Sequence, residues 1–336
     1  MKKFRAVFFM IVSFLGLYLT FVATGCSGDS GGDDDGDAQG DFVKVIGTTV
    51  TGGNKFYSSD FNDSLSADRW DRKGVFIEGR TVLVKDFYIC NHEVTQDEYT
   101  AIMGINPSFF VGDSGDKKVA DGESQGKRPV ESVSWYAAIV YCNKRSVQEG
   151  FAPCYSISGE SNVEEWGSIP NAKNDAWDNV TCDFSKNGYR LPTEVEWEYA
   201  ALGGKSGVSL QIPTCYAGTS NKECLGQYAW YGENSEGRTH EVKKKLPNAL
   251  GLYDMSGNVW EWCWDWCVDN LVGVPFTGPS SRNGASFRGY RGGDWYFNNN
   301  VLWALSVAWR GFAMDAGCYP LGGEGRLGFR VVRSAQ

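Results

Sequence analysis

Between Gly251 and Trp266 the chain reads Gly-Leu-Tyr-Asp-Met-Ser-Gly-Asn-Val-Trp-Glu-Trp-Cys-Trp-Asp-Trp. Few folds accommodate four tryptophans, a Ser-Gly-Asn turn and three acidic residues in so short a span. Trp260, Trp262, Trp264 and Trp266 alternate with Glu261, Cys263 and Asp265. That period of two predicts an extended strand or ribbon, and Gly257-Asn258 just ahead of it is a turn signal.

The remaining pattern is mixed. Runs from Phe42 to Val50 and from Val75 to Cys90 read as strands, parted by a Gly52-Gly-Asn54 turn and a polar loop. Thr95-Gln-Asp-Glu98 has capping-box spacing, so a helix is predicted to start at Thr95 and carry Tyr99, Ile102 and Met103 at helical intervals. Gly104 and Pro107 end it. A second helix is predicted from Ser134 to about Gln148, with Trp135, Ala138, Ile139 and Cys142 in one stripe and Gly150 as its stop. Thr193-Glu-Val-Glu196 is another capping box and opens a third helix, which stops at Gly203-Gly204. Most of the chain between the second and third helices, and most of 204–250, reads as loop. Three helices among short strands and long loops define an α+β class. The chain has no internal repeat, heptad or solenoid period.

With 336 residues and 42% apolar side chains the chain can bury a substantial core, and residues 42–336 fit one large domain. A net charge of -9 argues against nucleic acid as a partner. Part of that charge is Asp33, Asp34, Asp35, Asp37 and Asp41, within a Gly/Ser/Asp-rich stretch over 26–41 that reads as a solvated, flexible tether. Ahead of it, Lys2, Lys3 and Arg5 precede a nearly unbroken apolar run from Val7 to Val22, and Ala23-Thr-Gly-Cys26 follows. Residues 1–25 resemble a bacterial lipoprotein signal, with Cys26 as the lipidated N-terminus. The apolar run of roughly 16 residues falls short of the about 20 that a membrane-spanning helix needs. A lipid anchor implies attachment to a membrane, and Ser27 in place of the aspartate that retains lipoproteins at the inner membrane points to the outer membrane and cell surface. Nine other cysteines remain, an odd number. The spacing allows Cys215 to pair with Cys224 and Cys154 with Cys182, while buried thiols fit equally well.

The tryptophan stretch closely resembles the signature of the formylglycine-generating-enzyme (sulfatase-modifying factor) family, whose domain is a variant of the C-type lectin fold. Other blocks match in the family's order: Phe87-Tyr-Ile-Cys-Asn-His-Glu-Val-Thr-Gln-Asp-Glu-Tyr99, Arg128-Pro-Val-Glu-Ser-Val-Ser-Trp135, Tyr189-Arg-Leu-Pro-Thr-Glu-Val-Glu-Trp-Glu-Tyr-Ala200, Arg291-Gly-Gly293 and Leu327-Gly-Phe-Arg330. In the family's enzymes, two cysteines shortly after a Gly-Gly-Ser segment hold copper. Counted from Gly292-Gly293, those positions here are Phe297 and Leu302. Neither side chain can ligate copper or carry electrons as a thiolate does, so no copper and no catalysis are expected. A second branch of the family uses iron on three histidines, but this chain has only His92 and His240, so no such iron centre is expected. A phosphate-cradling loop for a nucleotide is also missing. The resemblance does imply a structural calcium ion, held by Asp254 and Glu261 with the carbonyls of Gly257 and Val259. The bland alternative is that Asp254 caps a turn and Glu261 pairs with an arginine.

From Phe287 to Tyr319 there are nine aromatic residues in 33, about twice the chain's 14% average. Bulky aromatics mixed with small residues and an Asn298-Asn-Asn300 run suit a contact surface. The Arg291-Gly-Gly start, the asparagine remnant and a Leu327-Gly-Phe-Arg frame near the C-terminus look like the variable region of proteins diversified by retroelements, here over about 286–326. The resemblance makes the candidate contact residues Tyr290, Asp294, Tyr296, Phe297, Trp303, Leu305, Trp309, Phe312, Met314, Tyr319 and Leu321. Val301 to Arg310 alternates in a way that places one of its faces in the core. Under this reading the chain is a monomeric, surface-displayed lipoprotein that binds a protein or other amphipathic ligand without catalysis. The alternative is an envelope enzyme of the same family with a non-standard site.

Overall fold

The computed structural model describes residues 40–53, 71, 73–209, 215–278, 287–313 and 325–335. The signal segment, Cys26, the tether to residue 39, Asn54, and the candidates Met314, Tyr319 and Leu321 lie outside the described residues. Asp41, assigned above to the tether, belongs to the fold. Its carbonyl accepts from Asn91 N at 2.7 Å and its carboxylate pairs with Lys243 at 2.9 Å.

The chain opens with β1 (Phe42–Val45), β2 (Thr49–Thr51), β3 (Thr81–Leu83) and β4 (Phe87–Cys90). The predicted long strands are thus each broken in two, and Val75–Arg80 is turn rather than strand. Helix α1 (Gln96–Met103) starts at the Thr95 capping box and ends at Gly104, whose φ of 76° is the left-handed conformation glycine adopts without strain. Helix α2 (Trp135–Gln148) is capped by Ser134. The next stretch folds into β5 (Tyr155–Ser156), α3 (Asp175–Asp178), β6 (Thr181–Cys182) and β7 (Tyr189–Arg190). Helix α4 (Glu194–Ala201) starts at the second capping box, and α5 (Gly204–Ser209) follows almost at once. Short α6 (Leu225–Tyr228), the tryptophan strand β8 (Trp260–Trp266), β9 (Arg288–Arg291), β10 (Gly311–Ala313), β11 (Leu327–Gly328) and β12 (Val332–Ser334) complete the order.

Two four-stranded sheets, ordered β1-β4-β12-β7 and β10-β9-β8-β11, carry the architecture, with β2-β3 and β5-β6 as two-stranded ribbons. The C-terminal β12 sits between β4 and β7, so the two ends of the domain are stitched into one sheet. Strand β8 is central in the other sheet, antiparallel to β9 and parallel to β11.

The alternation along β8 does not separate a wet face from a dry one, since six of its seven residues are buried. On one face Trp260 and Trp262 join the core with Tyr290 and α2. On the other, Glu261 and Asp265 are buried and must be compensated. Arg330 does this for Glu261, donating from Nε to Oε2 at 2.7 Å and from Nη2 to Oε1 at 2.6 Å, while Trp197 Nε1 also donates to Oε2 at 2.7 Å. Asp265 accepts Glu194 N at 2.8 Å. Further buried pairs are Arg190 with Glu196, Arg310 with Glu194 and Arg291 with Glu198. Each joins segments distant in sequence, except Arg190–Glu196, which secures the start of α4.

Candidate ligand-display surface

The segment after β9 is anchored at both ends by charges withdrawn from water. At its start Arg291 pairs with Glu198 and donates to the carbonyls of Val307 at 3.0 Å and Trp309. Gly293, at φ 80°, turns the chain where a side chain would strike Leu305. Asp294 is fully buried and pairs with Arg326. Burial pushes its carboxyl up, and Arg326 works against that rise. Farther on, Arg310 donates to both oxygens of Glu194 at 2.9 and 2.6 Å. Residues 295–309 therefore project from fixed points.

The projecting loop is fastened from below. Trp295 N donates to Asn258 O at 2.9 Å, Ser235 Oγ donates to Trp295 O at 2.7 Å, and Gly232 N donates to Phe297 O at 2.7 Å. The imidazole of His240 lies against Ser235 O at 2.9 Å through Nε2 and Glu123 Oε1 at 3.0 Å through Nδ1. His240 is 3% exposed and stacks on Trp230 at 3.8 Å.

Val301–Arg310 is not a strand. Leu302–Leu305 forms a single 3-10 turn, and Ala304, Leu305, Val307 and Ala308 are buried while Trp303 and Trp309 are half-buried. The face Ala304, Ser306, Ala308 and Arg310 is buried as the alternation implied, and the turn buries Leu305 and Val307 of the other face as well.

The structure sorts the eight candidates it describes. Tyr296 is 58% exposed, and Phe297, Trp303, Trp309 and Phe312 are half-buried. Tyr290, Asp294 and Leu305 are corrections. Tyr290 packs between Trp260 and Trp262 at 5.1 and 5.9 Å, Asp294 is committed to Arg326, and Leu305 has no exposure at all. They support the surface rather than form it. Phe297 and Leu302, at the positions where the family's enzymes carry copper cysteines, are packed side chains of one small cluster with Leu305, Tyr231 and Cys215.

Two contributors escaped the sequence reading. The Arg326 guanidinium lies 4.7 Å over the Tyr296 ring and 4.9 Å over Phe297, linking the loop to the strand frame. Phe110 meets Trp295 edge-on at 5.1 Å, and its neighbour Phe109 is 38% exposed. The aromatic surface thus continues onto the loop after α1. The only sequence signal there was the Phe-Phe pair itself.

For calcium, the proposed set does not fit as arranged. Both oxygens of Glu261 are taken by Arg330 and Trp197, and Asp254 Oδ2 accepts Lys243 N at 2.9 Å. Among the described residues no group of three His, Cys, Asp or Glu side chains is placed to hold a metal ion. Arg330 is thus the cation paired with Glu261, while Asp254 Oδ1 is buried without a hydrogen-bond partner among the described residues.

The cysteines also resolve. Cys224 is disulfide-bonded, but not to Cys215, so that pairing is corrected. Cys154 and Cys182 are brought side by side as thiols.

This chain belongs to the sulfatase-modifying factor family: the sulfatase-modifying factor enzyme 1-like domain matches residues 44–335. Its fold is the family's α+β variant of the C-type lectin fold. The solved structure of Treponema denticola variable protein 1 is similar over 88% of this chain and 95% of that one, at 36% identity and a TM-score of 0.65. Among curated relatives, the chaperone protein LppX of Paenibacillus barcinonensis is 40% identical over 202 residues, 55% of this chain and 64% of that protein. The formylglycine-generating enzyme of Streptomyces coelicolor is 32% identical over 166 residues, 48% of this chain and 51% of the enzyme. The chain spans less than two thirds of the length of these two relatives.

Proposed function

We propose that this protein is a non-catalytic ligand-binding member of its family, displayed on the cell surface by a lipid on Cys26, with a retroelement-diversified contact surface around Tyr296, Phe297, Trp303, Trp309 and Phe312. The observation that carries the reading is the fate of the copper positions. Phe297 and Leu302 fill them with packed apolar groups, and a thiolate pair is what the family's chemistry would require. The arrangement also suits display. Buried ion pairs fix both ends of the loop, and exposed or half-buried rings crown it, the division between rigid frame and contact loop found in binding proteins. Large rings with small rotamer entropy favour a protein or other amphipathic ligand. Similarity to the treponemal variable protein supports the same assignment. No described helix is long and apolar enough to cross a membrane.

Sequencing the 3′ end of the gene and its flanks from many isolates tests the proposal. Substitutions should concentrate at codons 296–303, 309 and 312 and match adenines of a neighbouring template repeat, with Arg291, Asp294, Arg310 and Arg326 constant. Uniform sequence across isolates would overturn it and return attention to an enzyme.

A further inference from the structure

The β5-β6 ribbon carries two thiols with no part in the display surface. Tyr155 lies opposite Cys182 and Ser156 opposite Thr181, and Asp183 N donates to Cys154 O at 2.9 Å. This register sets Cys154 and Cys182 diagonally across the ribbon, with their sulfur atoms in hydrogen-bonding contact. Cys154 Sγ also donates to Gly188 O at 3.3 Å. Cys154 is buried and Cys182 half-buried. A disulfide is already present at Cys224, so this fold is one that carries oxidised sulfur.

We infer that Cys154 and Cys182 are a disulfide-forming pair, closed by exchange with a disulfide oxidant and stapling the two strands of the ribbon. One of the two sulfurs attacks the oxidant as thiolate, forming a mixed disulfide and releasing one oxidant thiol. The other then attacks the protein sulfur of that mixed disulfide and expels the second. Two protein S–H bonds are lost, one S–S bond forms, and the oxidant's S–S bond is reduced to two thiols that carry off both protons.

The surroundings distinguish the two thiols. Contact with Cys182 lowers the Cys154 thiol below its usual range, Arg190 and Lys186 act in the same direction, and burial opposes them. Burial and the contact with Cys154 push the Cys182 thiol well up, so Cys154 is the sulfur of the pair that ionises first. Elsewhere burial makes the cysteines inert: it pushes Cys142 and Cys263 well up and Cys267 up to about 12.

Peptide mapping of the full chain, equilibrated with oxidised and reduced glutathione, alkylated and digested with trypsin, is decisive. Cleavage after Arg145, Lys173 and Lys186 leaves each cysteine alone in its own peptide. The 146–173 and 174–186 peptides should appear joined and should separate on reduction. The joined form should also melt about 5 °C above the Cys154→Ser/Cys182→Ser double variant, with the Cys224 bond intact in both. Alkylation of both thiols after oxidation, or either cysteine linked to a different partner, would overturn the inference. The map needs no variant, so a double variant that fails to fold does not remove the test.

Discussion

Asp254 has a backbone φ of 58°, unusual for any residue but glycine, and is 1% exposed. Burial pushes its carboxyl up to about 6, and Glu261 adds to the rise; the Lys243 N–H, Arg330 and His92 oppose it. An acid whose folded pKa is raised holds its proton more tightly folded than unfolded, so its ionisation costs stability as pH rises from about 4 to about 6. Asparagine tolerates the left-handed backbone better than most residues and carries no charge to bury. Asp254→Asn should therefore gain on the wild type through that window, by up to about 3 kcal/mol, and hold the gain at higher pH. Urea unfolding of both proteins at several pH values measures it. A difference flat with pH would refute the account. If calcium did bind here, the variant would instead lose stability when calcium is added to both.

At the level of elements, the two capping boxes look alike in sequence but are embedded differently. Glu98 at α1 is half-buried and caps Thr95 N at 2.8 Å. Glu196 at α4 caps Thr193 N at 2.9 Å and also receives Arg190 Nη1 and Nη2, both at 2.7 Å, with 2% of its surface exposed. Glu98→Ala should cost about 1 kcal/mol, the worth of a cap. Glu196→Ala should cost about 3–5 kcal/mol, because it also strands the Arg190 guanidinium. Chemical denaturation of the two variants separates these values, and equal losses would refute the distinction. The boxes were legible because their four-residue signal is local. The fate of Glu196 was not, since it depends on what packs over it. The same limit hid Arg310–Glu194 and Arg330–Glu261, whose partners lie 116 and 69 residues apart. Period-two reasoning found β8 and the buried face of Val301–Arg310, but not the 3-10 turn at Leu302–Leu305 that buries residues of both faces.

For the molecule as a whole, display requires that the ligand surface and the fold be energetically separable. The sequence alone marked the aromatic region but not this boundary, because Tyr290, Leu305 and Tyr296 are similar letters in it and burial alone distinguishes them. Tyr296 is largely exposed, and so are Asn299 and Asn300. Leu305 and Arg310 lie beneath in the frame. Tyr296→Ala should therefore shift stability by no more than about 0.5 kcal/mol. Leu305→Ala should cost about 2–5 kcal/mol through a cavity, and Arg310→Met about 3–5 kcal/mol by removing the guanidinium that holds both oxygens of buried Glu194 and leaving it Arg291 alone at 3.4 Å. A library randomised at 296, 299 and 300 should stay as resistant to protease as the parent, while one randomised at 294, 305 and 310 should be degraded. Equal sensitivity of the two libraries would mean that surface and frame are one energetic unit, and a fold of that kind could not serve as a scaffold for a varying site.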